Sequence, residues 1–97
     1  MAVIVTASVT IKPDKVAEAI AFMKDRLPDT RSADGCQFLE VSEDKDRPEV
    51  LFSYSRWDSI EPYETYTAWR TETGVMAAFG EFVAEPPVTT FYETIDL

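Results

Sequence analysis

Residues 3–11 alternate strictly. Val3, Val5, Ala7, Val9 and Ile11 fall on one side and Ile4, Thr6, Ser8 and Thr10 on the other, the period-two pattern of a strand. Pro13 has its φ preset near the helical value and suits a first helical turn. Val16, Ile20, Met23 and Leu27 then recur at steps of four, three and four, which predicts an amphipathic helix ended by Pro28. Residues 29–35 are a polar loop. Cys36–Glu43 reads as a second strand through Phe38, Leu39 and Val41, and the charged residues 44–49, with Pro48, as a hairpin connection. Val50–Trp57 is a third strand, with Leu51, Ser53, Ser55 and Trp57 on one face and Val50, Phe52, Tyr54 and Arg56 on the other. Asp58 or Ser59 can cap the helix that follows. Glu61 completes a capping box with Asp58, while Pro62 slightly favours Ser59. This helix is expected to run to about residue 70 and break over 71–74. It resumes to about residue 84 with Val75, Phe79, Phe82 and Val83 as its apolar stripe. Pro86 and Pro87 stop it, and residues 88–95 form a last strand.

This order predicts one ferredoxin-like α+β domain over residues 1–97, βαββαβ with the second helix broken in two. Right-handed crossovers place every helix on one side of the sheet. The other side is then bare within a single chain, yet its strands carry large apolar side chains on both faces. Burying four of them would contribute roughly 6–12 kcal/mol. A homodimer packed sheet to sheet, as a dimeric α+β barrel, is therefore expected. On the helix-covered side, Ser53 and Ser55 stand where a packed core would carry branched carbons. Small groups there leave room for a hollow, with Trp57, Tyr63 and Tyr66 as its rim.

Composition narrows the chemistry. The chain has 97 residues, 45% of them hydrophobic, with 18 acidic and 9 basic side chains and a formal net charge of −9. That balance argues against nucleic acid and against anionic membrane surfaces as partners. The apolar start lacks a basic leader and a cleavage pattern and is interrupted by Thr6, Ser8 and Thr10, so neither a signal peptide nor a membrane span is expected, and the cytoplasm is the default. A single cysteine, Cys36, forms no intrachain disulfide and reads as a small buried hydrophobe. Histidine is absent, which removes Ser-His-Asp and Cys-His catalysis, the usual haem ligand and most transition-metal sites. No metal site is expected.

Four stretches carry a resemblance that covers nearly the whole chain: K-P-D-K-V-A-E at the first helix, D-G-C-Q-F-L-E-V into the second strand, V-L-F-S-Y-S-R-W-D-S-I-E-P-Y through the third, and A-E-P-P-V-T-T-F-Y-E near the end. In order and spacing the chain resembles the antibiotic biosynthesis monooxygenase (ABM) family of dimeric α+β barrels. The resemblance implies a fold more than a reaction. Similar members include cofactor-independent oxygenases of polyketide hydroquinones, quinol oxygenases, haem-degrading enzymes and proteins without known activity. Trp57 matches the family tryptophan that ends the third strand, and Tyr63 a tyrosine six residues later in the polyketide oxygenases. Ser53 stands where those enzymes carry an asparagine. Tyr66 or Trp69 occupies the region where many members have a histidine, which argues against haem.

On this resemblance the expected activity is a monooxygenase using neither metal nor flavin, acting on a small electron-rich aromatic such as a hydroquinone or polyketide-like phenol. Trp57 would donate its indole N–H to a substrate oxygen, Tyr63 would donate or relay a proton, and Ser53 would hold a carbonyl or water. Ser55, Tyr66, Trp69 and Phe79 would line the substrate. No strong general base is visible, and Glu40 is the one carboxylate considered for that work. Each of these side chains also has a plain packing role open to it: Trp57 as core or interface, Tyr63 and Tyr66 as helix packing, Ser53 and Ser55 as the seat of a close helix, Trp69 as a helix end, Met76, Phe79 and Phe82 as core. Two other readings stay open beside the oxygenase. One is a small-ligand binding protein, isomerase or cyclase on the same barrel. The other is a dimerisation module with a filled core.

Overall fold

The computed structural model describes residues 1–97. Four strands, β1 (Val3–Thr10), β2 (Cys36–Glu43), β3 (Val50–Trp57) and β4 (Val88–Glu93), form one antiparallel sheet in the order β2-β3-β1-β4. A 3-10 turn at Pro13–Lys15 leads into α1 (Val16–Arg31), and α2 (Ile60–Glu72) and α3 (Val75–Gly80) join β3 to β4. This is the ferredoxin-like α+β arrangement expected from the pattern, with β2 and β3 ending where the alternation and turn residues placed them.

Three boundaries differ, each for a tertiary reason. The first helix runs through Pro28 to Arg31. A proline costs the carbonyl four residues earlier its partner. Here that residue, Lys24, is exposed, and later contacts hold the turn: Arg70 Nη2 donates to the Arg26 carbonyl at 2.6 Å, and Thr30 is buried. The inward stripe is also rotated, so that Ala19 is fully buried while Ile20 is 42% exposed. α3 stops at Gly80, because the chain beyond it pairs with the end of β1: Ile11 bridges Val83, and Ala84 N–H donates to the Thr10 carbonyl at 2.8 Å. β4 ends at Glu93, opposite Val3, where its partner strand runs out.

Ser59 is the N-cap of α2, as expected, but its hydroxyl makes no capping bond to the helix backbone. Instead the Ser59 hydroxyl and the N–H of Glu61 itself hold the Glu61 carboxyl below the ordinary carboxylate range, the backbone bond being the larger cause. Gly35, at φ +85°, is required twice over. It sits in the left-handed region, and a Cβ there would lie 2.4 Å from Pro62 Cβ, so α2 starts against bare backbone. Asp44 anchors the β2–β3 turn by accepting from the N–H groups of Asp46 and Arg47 at 2.9 and 3.1 Å.

All three helices cover the face that carries Val5, Ala7, Ser53 and Ser55. The opposite face has no covering element. Phe38, Phe52, Val88 and Tyr92 lie on it, 42–66% exposed.

Candidate functional site

The cross-strand register aligns the small residues into a trough. Ala7 pairs with Ser53 on one side and Thr89 on the other, and Ser53 pairs with Val41. One rung of the sheet's covered face therefore carries nothing larger than valine. On one side the next rung bears Leu51 opposite Val9, and on the other Trp57 stands two rungs away, beyond Ser55 and Val5. Helices resting on those taller ends bridge the trough, and a cavity of about 290 Å³ remains beneath them. That is the lower end of the range for small-molecule sites.

Six of the seven residues expected at the site line this cavity: Ser53, Ser55, Trp57, Tyr63, Tyr66 and Phe79. Their arrangement alters some of the expected roles. Trp57 is 1% exposed, and its indole Nε1–H donates to Ser55 Oγ at 3.0 Å. Ser55 Oγ–H in turn donates to the Val5 carbonyl at 3.3 Å. The indole donor expected to meet a substrate oxygen is thus used within the protein, and Ser55 orients the ring. The pair explains how a serine comes to be buried at 6% exposure, since both polar groups are satisfied. Ser53, half-buried on the adjacent rung, keeps its hydroxyl out of this pair.

Tyr63 meets Trp57 edge to face, with ring centroids 5.5 Å apart, and Phe91 likewise at 5.6 Å. Tyr66 leans on the other side of Trp57 at 5.5 Å. Three aromatic rings therefore fix one end of the hollow. Phe79 stands at the opposite end, packed with Phe22 at 6.0 Å and Phe82 at 6.1 Å.

Trp69 is not in the cavity. It is 44% exposed and lines an outer cleft with Pro62 and Thr65. The cause is helical phase: Tyr63, Tyr66 and Arg70 share a face at spacings of three and four, and a residue six beyond Tyr63 falls off it. Glu40 is also misplaced as a base. It pairs with Tyr54 on the uncovered face and is exposed. Met76, expected in the core, is 50% exposed.

Arg70 was not foreseen. It is the one buried residue of α2, 3% exposed, and it lines the cavity. Its Nε donates to the Tyr66 hydroxyl at 2.5 Å and its Nη2 to Thr30 Oγ1 at 3.3 Å, while Thr30 and Tyr66 share a further hydrogen bond. The guanidinium lies 5.2 Å from the Tyr66 ring centre. Its spacing from Tyr63 and Tyr66 is the signal that would have found it.

Cys36, at the β2 bulge, has its thiol pKa raised, chiefly by burial, so it is held neutral rather than poised as a nucleophile. No cluster of histidine, cysteine or carboxylate side chains suited to a metal ion occurs in the structure. No helix is long and apolar enough to cross a membrane.

A four-stranded antiparallel sheet roofed by helices, with a hollow between them walled by aromatics and small hydroxyls, defines a ferredoxin-like α+β protein with an internal ligand-sized space. The chain belongs to the antibiotic biosynthesis monooxygenase family, whose model matches residues 2–91. Solved structures agree on the fold. A conserved protein from Methanosarcina mazei Go1 superposes with a TM-score of 0.90 at 20% identity, over 98% of this chain and 94% of that one. The protein Rv0793 from Mycobacterium tuberculosis gives 0.88 at 23% identity, over 100% and 98%. An antibiotic biosynthesis monooxygenase gives 0.87 at 14% identity, over 97% and 99%. No curated protein matches the sequence.

Proposed function

We propose that this protein is a cofactor-independent monooxygenase of a small, electron-rich aromatic, a phenol or hydroquinone of the polyketide kind. The observation that carries the reading is the trough itself. A rung of small residues beneath three helices holds open a hollow walled by Trp57, Tyr63 and Tyr66 in a chain of this family. For a phenol with an open para carbon, the balanced reaction consumes one O₂. One oxygen atom bonds to the ring carbon and gives the quinone. The other leaves as water with the former ring hydrogen and the phenolic proton. An ionised phenol is the electron donor, and the protein's work is to desolvate the ring, fix it and hold the developing charge. Trp57, locked by Ser55, is a rigid wall. The hydroxyls of Tyr63 and Ser53 are the groups suited to meet substrate oxygens.

Oxygen uptake with a panel of hydroquinones, naphthols and anthrones tests this. We expect one O₂ consumed per quinone formed, and a loss of about 10²-fold in kcat when Tyr63→Phe removes the proton donor. A panel that leaves oxygen untouched would sink the reading.

One observation favours a second reading. The cavity lining contains no carboxylate and the chain no histidine, so the hollow holds no strong base. A binding protein, or an isomerase or cyclase needing only enclosure, fits that lining as well. Saturable binding of the same aromatics without oxygen consumption would select it.

The proposal includes a homodimer. The uncovered face exposes Phe38, Phe52, Val88 and Tyr92 together, a patch suited to a second copy of itself. Sedimentation equilibrium of the full chain checks this, and a monomer at micromolar concentration would remove it.

A further inference from the structure

The hollow carries the opposite sign of charge to the molecule around it. The chain has 18 acidic and 9 basic residues, yet the only charged side chains lining the cavity are Arg26 and Arg70. The two are graded in depth. Arg26 has its side chain 45% exposed and stacks over Phe22, 5.1 Å from the ring centre, at the rim. Arg70 is buried.

Neither charge is well neutralised from inside. The carboxylate nearest Arg70 is Asp29, whose Oδ2 lies 3.9 Å from Nη1, beyond hydrogen-bond length. Asp29 is itself 59% exposed and faces the outer cleft rather than the cavity. Every hydrogen bond that Arg70 makes goes to a neutral acceptor: the Tyr66 hydroxyl, Thr30 Oγ1 and the Arg26 carbonyl. Those bonds use three of the five guanidinium N–H donors. The Tyr66 and Trp69 rings, 5.2 and 5.1 Å from the guanidinium carbon, offset part of its charge, but no anion within hydrogen-bond length meets it, and taking a cation out of water is costly without one. Arg26 pairs at 3.6 Å with Asp25, but that carboxylate is 74% exposed and screened.

We infer that the cavity takes an anionic aromatic: a ring seated against Trp57 and Tyr63 with a carboxylate, or a group of equally permanent negative charge, drawn past Arg26 toward Arg70. The inference rests on reading the hollow as a binding site, and it adds the charge of the ligand to that reading. An anion there gains a charge-assisted partner in a low-dielectric space. The uncharged analogue of the same shape gains the packing alone.

The test is calorimetric titration of the full chain, under anaerobic conditions at pH 7, with 1-hydroxy-2-naphthoate and with its methyl ester. The acid is expected to bind about tenfold or more tighter than the ester. Arg70→Gln is expected to bring the two affinities to within about twofold, mainly by weakening the acid. Arg26→Gln, an exposed rim position that leaves the fold intact, is expected to cut the preference by about two- to threefold. If Arg70→Gln does not fold, the wild-type pair and Arg26→Gln still decide. Equal binding of acid and ester, no saturable binding of the acid, or a preference fully retained in folded Arg70→Gln would overturn the inference. The titration excludes oxygen, so the two readings fail separately. Preference for the acid without oxygen uptake removes the oxygenase alone. Oxidation of acid and ester at equal kcat/KM removes the anion preference alone.

Discussion

The space between sheet and helices has two packed ends and an open middle, and the contrast lies in a few side chains. At one end Val3, Val5 and Trp57 are buried, with Ile60, Tyr63 and Tyr66 packed against them. At the other, Ile11, Ala19 and Leu51 are buried beneath Phe79, Phe82 and Val83. Between them the rung of Val41, Ser53, Ala7 and Thr89 contributes no buried residue to either cluster. The backbone is continuous β-sheet throughout. Side-chain volume alone decides where the layer is core and where it is cavity. The largest expected effect is therefore at a packed end. Trp57→Ala should cost about 3–5 kcal/mol, a large part of a small domain's stability, in urea unfolding followed by circular dichroism. A loss under about 1 kcal/mol would show that this end is no more packed than the middle.

The same contrast shows what was legible in the residues. The strands were, because alternation and turn residues act locally: β2 and β3 start and stop where Cys36, Glu43, Val50 and Trp57 placed them. The serine row on β3 was too, since small polar groups on an inward face are a volume statement that needs no partner. What escaped depends on distant contacts or on helical phase. Pro28 looked like a helix end because the braces from Arg70 and Thr30 lie about forty residues apart in sequence. Trp69 was expected at the site because it falls in the region where many similar members carry a histidine, and Arg70 was given no role there. Helical spacing from Tyr63 and Tyr66 takes Trp69 out of the cavity and brings Arg70 into it. The Trp57–Ser55 bond was open to reading, since residues two apart share a strand face, but a hydroxyl's choice between an indole and a ligand is made by geometry.

Ser55→Ala probes the edge between packed end and open middle, and its effect should be intermediate. The substitution leaves the Trp57 Nε1–H buried without its acceptor while changing almost no volume. A loss of about 1–2 kcal/mol is expected in the same unfolding measurement. The indole proton resonance of Trp57 should also exchange faster with solvent. Wild-type stability together with an unchanged indole resonance would mean that the N–H has another acceptor and is free to serve a ligand after all.

The smallest effect on stability should come from the middle. Ser53→Leu adds carbon to a rung that has none to spare on either neighbour, Ala7 or Val41, so the new side chain enters empty space and displaces nothing. Overpacking a filled core costs about 1–3 kcal/mol, whereas here the change should stay within about 1 kcal/mol of wild type and can be stabilising. Binding of 1-hydroxy-2-naphthoate should be lost in the same variant, because the leucine occupies the volume a ring would use. The two measurements must move apart. A strong loss of stability would mean that helices already fill the trough. Unchanged stability with unchanged binding would place the ligand somewhere other than over Ser53.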